Sequence, residues 1–144
     1  MNVTALTDHL VFENASGTAQ IYLYHHLSCG QVTLLGDISH EDYKEVFLKF
    51  IDVMEAHGYC DVIYDTSHLI QHSRRSRAWY LTHYLPQAVK RIKSDRYKIG
   101  VIAPNSLIQR VAVEFVVRGS KALGKPFIIR YFDALSEATA WMEE

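Results

Sequence analysis

Between Val62 and Arg77 the chain reads VIYDTSHLIQHSRRSR: an apolar run gives way to a carboxylate, hydroxyls, histidines and three arginines. Thr66 and Ser67 are residue types that satisfy orphan backbone groups where a strand turns. The two hydroxyls are also phosphate acceptors. A phosphate on Thr66 or Ser67 would add roughly −1.5 to −2 charges and pair well with Arg74, Arg75 or Arg77. Unmodified, the same arginines and the backbone amides beside them suit an anion. Trp79 and Tyr80 follow at once, and interfaces concentrate Trp, Tyr and Arg. The candidate ligand- or partner-binding residues are therefore Asp65, Thr66, Ser67, His68, Arg74, Arg75, Arg77, Trp79 and Tyr80, with Thr66 and Ser67 as candidate phosphorylation sites.

Catalysis needs a nucleophile, a base and an orienting group in proximity. Asp65, Ser67 and His68 are near neighbours in sequence, but adjacent side chains diverge, so adjacency does not make a triad. Cys29 and Cys60 lack a local base, and Cys60 suits a small core residue. A metal would draw on the eight histidines. His68 and His72 have the i, i+4 spacing of a helical zinc pair, but Ile70 and the loop setting argue against a helix there. His25 and His26 are consecutive and point apart in a strand, and His83 could join only through the tertiary fold. No glycine-rich phosphate loop occurs. No catalytic residue, metal or cofactor is expected, and a hydrolase-type enzyme ranks last among the readings.

These residues are positioned by regular elements. His9–Ala15 reads as a first strand, Ser16–Gly17 as a turn, and Ala19–Leu27 as a second strand with Ile21, Leu23 and His25 on one face. Cys29–Gly30 permits a turn into Gln31–Ile38, as a hairpin or as one bent strand. Ser39 and Asp42 approximate a capping box. The stripe Tyr43, Val46, Phe47, Phe50, Ile51 and Met54 then predicts an amphipathic helix that Gly58 stops. Cys60–Asp65 is a short buried strand. A second helix spans Ser76 to Ile92, with Ala78, Leu81, Leu85, Val89 and Ile92 inward and a kink or join at Pro86. Tyr97–Pro104 is apolar on successive residues, as in a strand covered on both faces. Ser106 and Gln109 cap a third helix reaching Leu123, its inward stripe read as Ile108, Val111, Ala112, Phe115 and Leu123. Gly124 and Pro126 stop it. Phe127–Phe132 is the last strand, and a short helix burying Leu135, Ala138 and Trp141 closes the chain. The alternation implies an α/β layered sheet whose later strands are parallel.

A chain of 144 residues, 49% hydrophobic and 22% charged, fits one soluble domain spanning 1–144, with residues 1–7 expected to lack order. No segment approaches the ~20 apolar residues of a membrane span, the N-terminus lacks a secretory pattern, and two cysteines without CxxC spacing suit free thiols in the cytoplasm. The net charge of −1 hides a division. Between Arg74 and Arg130, 13 bases meet only 2 acids, for +11, and the flanking segments are acidic. Steering of an anionic partner is one consequence, and solvated helix surfaces with complementary self-packing are the other. Charge asymmetry and the aromatic–arginine stretch together suggest a homodimer. No nucleic-acid motif accompanies the basic span.

The order of elements, with GDISHEDYKEVFLKF, VIYDTSHL and the terminal IRYFDALSEATAWM, resembles the SpoIIAA-like domains of the STAS/SEC14 type over roughly residues 8 to 143. The resemblance implies a mixed, mostly parallel sheet of four to six strands, its first strand antiparallel, packed with about four helices. It also implies a non-enzymatic module that contacts a regulatory partner or holds an apolar ligand. In partner-switching members the matching loop reads Asp-Ser-Ser-Gly and a serine there is phosphorylated. Here Asp65, Thr66, Ser67 and His68 stand in its place, and His68 departs from the glycine, which alone tolerates left-handed backbone freely. The function expected is a regulatory or binding module acting through protein contacts, or through a small apolar or anionic ligand, near residues 65–77. The alternative is a SEC14-like carrier of an apolar or lipid-like molecule.

Overall fold

The computed structural model describes residues 8–144, so the expectation for residues 1–7 lies outside the described residues. Six strands form the main sheet in the order β1 (Asp8–Glu13), β2 (Ala19–Tyr24), β3 (Cys29–Leu34), β5 (Asp61–Asp65), β7 (Tyr97–Ile102) and β8 (Phe127–Phe132). β1 and β2 run antiparallel, as do β2 and β3; the three later pairings are parallel. A small parallel pair, β4 (Gly36–Asp37) with β6 (Leu69–Gln71), sits apart from it. Among the described residues four helices accompany the strands: α1 (His40–His57), α2 between Arg74 and Arg91, α3 (Leu107–Ala122) and α4 (Leu135–Met142). The mixed, mostly parallel sheet with about four helices is as expected.

The hairpin alternative is the one adopted. Its turn is not at Cys29–Gly30, which open β3, but at the 3-10 segment His25–Leu27 and Ser28, whose φ of 50° is left-handed. His25 and His26 thus leave the strand altogether. Gly30 has a different use. A Cβ there would lie 2.4 Å from Met54 Sδ and 2.8 Å from Phe50, so its absence lets α1 settle onto β3. All six residues of the expected α1 stripe are buried, each worth about 1.5–3 kcal/mol relative to exposure. Ser39 Oγ accepts from Asp42 N–H at 3.1 Å, and Gly58 closes the helix at φ 69°.

Two helices depart from expectation. α2 begins at Arg74, capped by Ser73, and is interrupted by a π-helical stretch, Tyr80–Tyr84, before the segment Leu85–Arg91. Pro86 removes one backbone donor, and the wider turn before it, with Leu85 N–H bonded to Tyr80 O, absorbs the defect without a break. Leu85 is buried and Leu81 and Ile92 pack against the core, as expected, but Tyr80 and Tyr84 are buried too, and Ala78, expected inside, is exposed because it lies opposite the buried Ser76 and Tyr80. In α3 the reading is reversed. Gln109, Val113, Val117 and Ser120 face the sheet, and Ile108, Val111 and Phe115 face solvent with 77%, 62% and 58% of their surface exposed. Leu123 is also exposed and Ala112 half-buried.

The principal core lies on the face of the sheet covered by α1 and α2, and Val113 and Val117 of α3 pack on Ile99 and Val101 beside it. α4 covers part of the opposite face through Ala138, Trp141 and Met142. β7 is buried along its whole length, as expected of a mostly apolar strand covered on both faces. Its Lys98 ammonium donates to the carbonyls of Trp141 and Glu144, at 3.2 and 2.9 Å, where α4 ends.

Candidate functional site

β5 ends at Asp65 and the chain turns at once. Asp65 Oδ1 accepts from Ser67 N–H at 3.1 Å and from Ser67 Oγ–H at 2.7 Å, so the carboxylate closes the turn. Thr66 is buried, and both its N–H and its Oγ–H donate to Ile102 O, at 3.1 and 2.7 Å. A phosphate on Thr66 would have to break the bond that ties this loop to the end of β7. Ser67 is half-buried and is the reachable hydroxyl of the two. His68 is exposed, and its carbonyl accepts from Gly36 N–H at 3.0 Å; the Ser67 hydroxyl bonds to Asp65, not to the imidazole.

What reads as a long connection contains β6. Its pairing with β4 buries Leu69 and leaves Ile70 outward, 69% exposed. His72, next in line, is buried, with Nδ1 3.3 Å from Gln109 Oε1 and its ring 5.9 Å from that of Tyr43. The amide oxygen can only accept, so Nδ1 carries the proton. Burial, reinforced by the Arg77 charge and opposed by the Gln109 bond, pushes the His72 pKa down to about 4. Gln109 therefore bridges α3 to the 65–77 segment, where its capping-box reading had its side chain at the helix end. A strand separates His68 from His72, and among the described residues no three His, Cys, Asp or Glu groups are placed to hold a metal ion.

The three arginines divide. Arg75 is exposed and near enough to His40 to lower its pKa, after burial as the larger cause. Arg74 and Arg77 both line a groove between the 70–77 segment and α3. Arg77 donates to His72 O at 2.9 Å; desolvation, then the neighbouring Arg74 charge, depress its pKa. Trp79 is half-buried, edge-on to Tyr43 at 6.2 Å. Tyr80 is no surface residue: it lies in the core and donates from its hydroxyl to Tyr64 Oη at 2.9 Å. The expected aromatic–arginine patch is thus split between core and surface, Tyr80 standing four residues from the buried Ser76 on the inward face.

The groove has a volume of about 850 Å³, and its apolar wall is made by Ile70, Ile108, Val111 and Phe115. Among the described residues no aspartate or glutamate lines it. Sequence reasoning missed this wall because it assigned the strongest apolar stripe of α3 to the core. A usable signal was present: Val113 and Val117 offer a second apolar face, so one of the two had to be left over. Inside the protein, an aromatic-lined cavity bordered by Tyr43, Phe47, Tyr64 and Tyr80 measures about 50 Å³, and another beside Met54, Tyr84 and Ile92 about 40 Å³. Each has room for a few waters.

No family model matches the chain, and no curated protein matches it. Among solved structures it is similar to an uncharacterized protein of the DUF3478 family with a SpoIIAA-like fold, from Shewanella loihica PV-4. The TM-score is 0.50 and the identity 16%, over 94% of each chain. At that identity the likeness speaks to architecture and not to activity: this chain has a SpoIIAA-like fold.

Proposed function

We propose that this protein is a non-enzymatic binding or regulatory module whose contact surface is the groove between residues 70–77 and α3. The observation that supports this reading is the orientation of α3, which turns Ile108, Val111 and Phe115 to solvent beside Arg74 and Arg77. A cluster of large apolar side chains exposed on one helix marks an interaction site more often than a bare surface does. Protein contact is favoured over a small ligand because the apolar side chains of the wall stand largely in solvent and do not enclose a pocket that would bury most of a ligand. Ser67, reachable at the head of the same segment, is a site where a phosphate would change the charge near the groove.

A photo-crosslinking amino acid placed at Phe115, with Glu45 on α1 as the control position, tests this in the source organism. A discrete adduct at Phe115 that Ile108→Glu abolishes supports the reading. Equal adducts at both positions, or none at Phe115, would count against it.

The carrier alternative draws on the aromatic-lined cavity. Ligand pockets run to about 300–1,000 Å³, so a cavity of about 50 Å³ would have to open several-fold to admit a lipid-like molecule. Native mass spectrometry showing a co-purifying ligand would favour it. Self-association is a separate proposal, and sedimentation equilibrium at high concentration decides it.

A further inference from the structure

The groove reading leaves its occupant open, and three observations narrow it. α3 is apolar on two roughly opposite faces. Val113 and Val117 pack on β7, and Ile108, Val111 and Phe115 stand on the far side with most of their surface in water. A contiguous exposed apolar stripe marks an interaction surface, and the outward stripe lacks a layer that this chain does not supply among the described residues. The shape of the missing layer is constrained by Ile70 and Arg74, which raise a second wall alongside α3. A trough between two walls accepts a rod; a flat bilayer would touch only its rims.

Charge sets the chemistry. Arg74 and Arg77 line the trough, with no acid beside them among the described residues that line it. The ion pairs of the described residues involve Arg91 and Arg118 only, leaving this pair of guanidiniums without a carboxylate. α3 itself carries Arg110, Arg118 and Lys121 against the single acid Glu114. A second copy docked through the same face would set two such basic rims against each other, which opposes an isologous dimer there.

We infer that the groove is built for an amphipathic helix of a partner protein, with apolar residues at i, i+3, i+4 and i+7 on Ile108, Val111 and Phe115, and acidic residues flanking them toward Arg74 and Arg77. This rests on the groove being the contact surface and adds the class of its occupant. Recognition is of the helix-in-groove kind, with apolar anchors for affinity and rim charges for orientation and on-rate.

The test is a display selection on the purified full chain, using a library of helical peptides of about 18 residues. Enriched peptides are synthesised and measured by fluorescence anisotropy. Enrichment of apolar stripes flanked by Asp and Glu is expected. Their affinity should fall roughly tenfold or more on Phe115→Glu, and several-fold, with a weaker salt dependence, on Arg74→Glu. Both positions are exposed, and circular dichroism confirms that each variant is folded. Peptides with neutral or basic flanks that still depend on Phe115 would overturn the acidic-helix assignment and leave the groove reading standing. Peptides bound equally by the Phe115→Glu protein would overturn both. Vesicles containing phosphatidylglycerol that bind the protein through Phe115 when no peptide does, or a dimer that Phe115→Glu dissolves, would also overturn the helix assignment.

Discussion

His72 concentrates the chemistry of the candidate site in one buried ring. It is held neutral by burial and by Arg77, with a pKa near 4 in the folded chain against about 6.5 when unfolded. Between those values the unfolded chain binds the extra proton, so the stability tied to neutral His72 is whole above pH 6.5 and is lost as pH falls toward 4. From pH 7.5 to pH 5 this group should cost about 2 kcal/mol. Unfolding free energies from urea titrations at the two pH values should differ by that amount more in the native chain than in a His72→Asn variant; identical pH dependence in both would remove the assignment. Gly30 makes a second expectation at this scale. An added methyl collides with Met54 Sδ and the Phe50 ring, so Gly30→Ala should destabilise by about 1–3 kcal/mol. A thermal midpoint unchanged by it would show that α1 can move away at no cost.

At the level of the element, α3 gives the sharpest contrast. Phe115→Ala removes a large side chain from the exposed face and should change stability by about 0.5 kcal/mol or less. Val117→Ala removes a smaller one from the face packed on β7 and should cost about 1–2 kcal/mol. Chemical denaturation of the two variants distinguishes this orientation from the reversed one, in which phenylalanine would carry the larger loss. α1 was legible because its one apolar stripe leaves a charged face opposite it, so only one docking is favourable. α3 was not, because it has two apolar faces and nothing local says which meets the sheet. In α2 the expected Leu81, Leu85 and Ile92 do meet the core, and the miss is Ala78, which lies two residues from both Ser76 and Tyr80 and so on the opposite side of the helix from those buried positions.

For the whole molecule, the division of charge is the property that reaches furthest. Thirteen bases and two acids between Arg74 and Arg130 place an excess of positive charge on the half of the chain that includes α2 and α3. Association with an acidic partner should therefore slow as salt rises, since a Debye length of about 10 Å at 0.1 M screens rim charges. Stopped-flow association rates of a selected acidic peptide should fall several-fold between about 50 and 300 mM NaCl, with dissociation nearly unchanged. Rates independent of salt would show that the basic rim takes no part.

The sequence alone determined the layered α/β order, the parallel later strands, α1 with both its caps, the fully covered β7 and the turn-forming use of Ser67. Each follows from local periodicity or from side chains bonding to their own neighbours. Only the tertiary structure decided that Thr66 is tied to β7, that Tyr80 is interior, that Gln109 reaches His72, and that Ile108, Val111 and Phe115 look outward. Those depend on contacts across more than a dozen positions of chain, and on which of two apolar faces finds a sheet to cover. Residues 65–77 were recognisable as the place where chemistry gathers; the opposing wall that makes the place a groove comes from a helix more than thirty residues further along the chain.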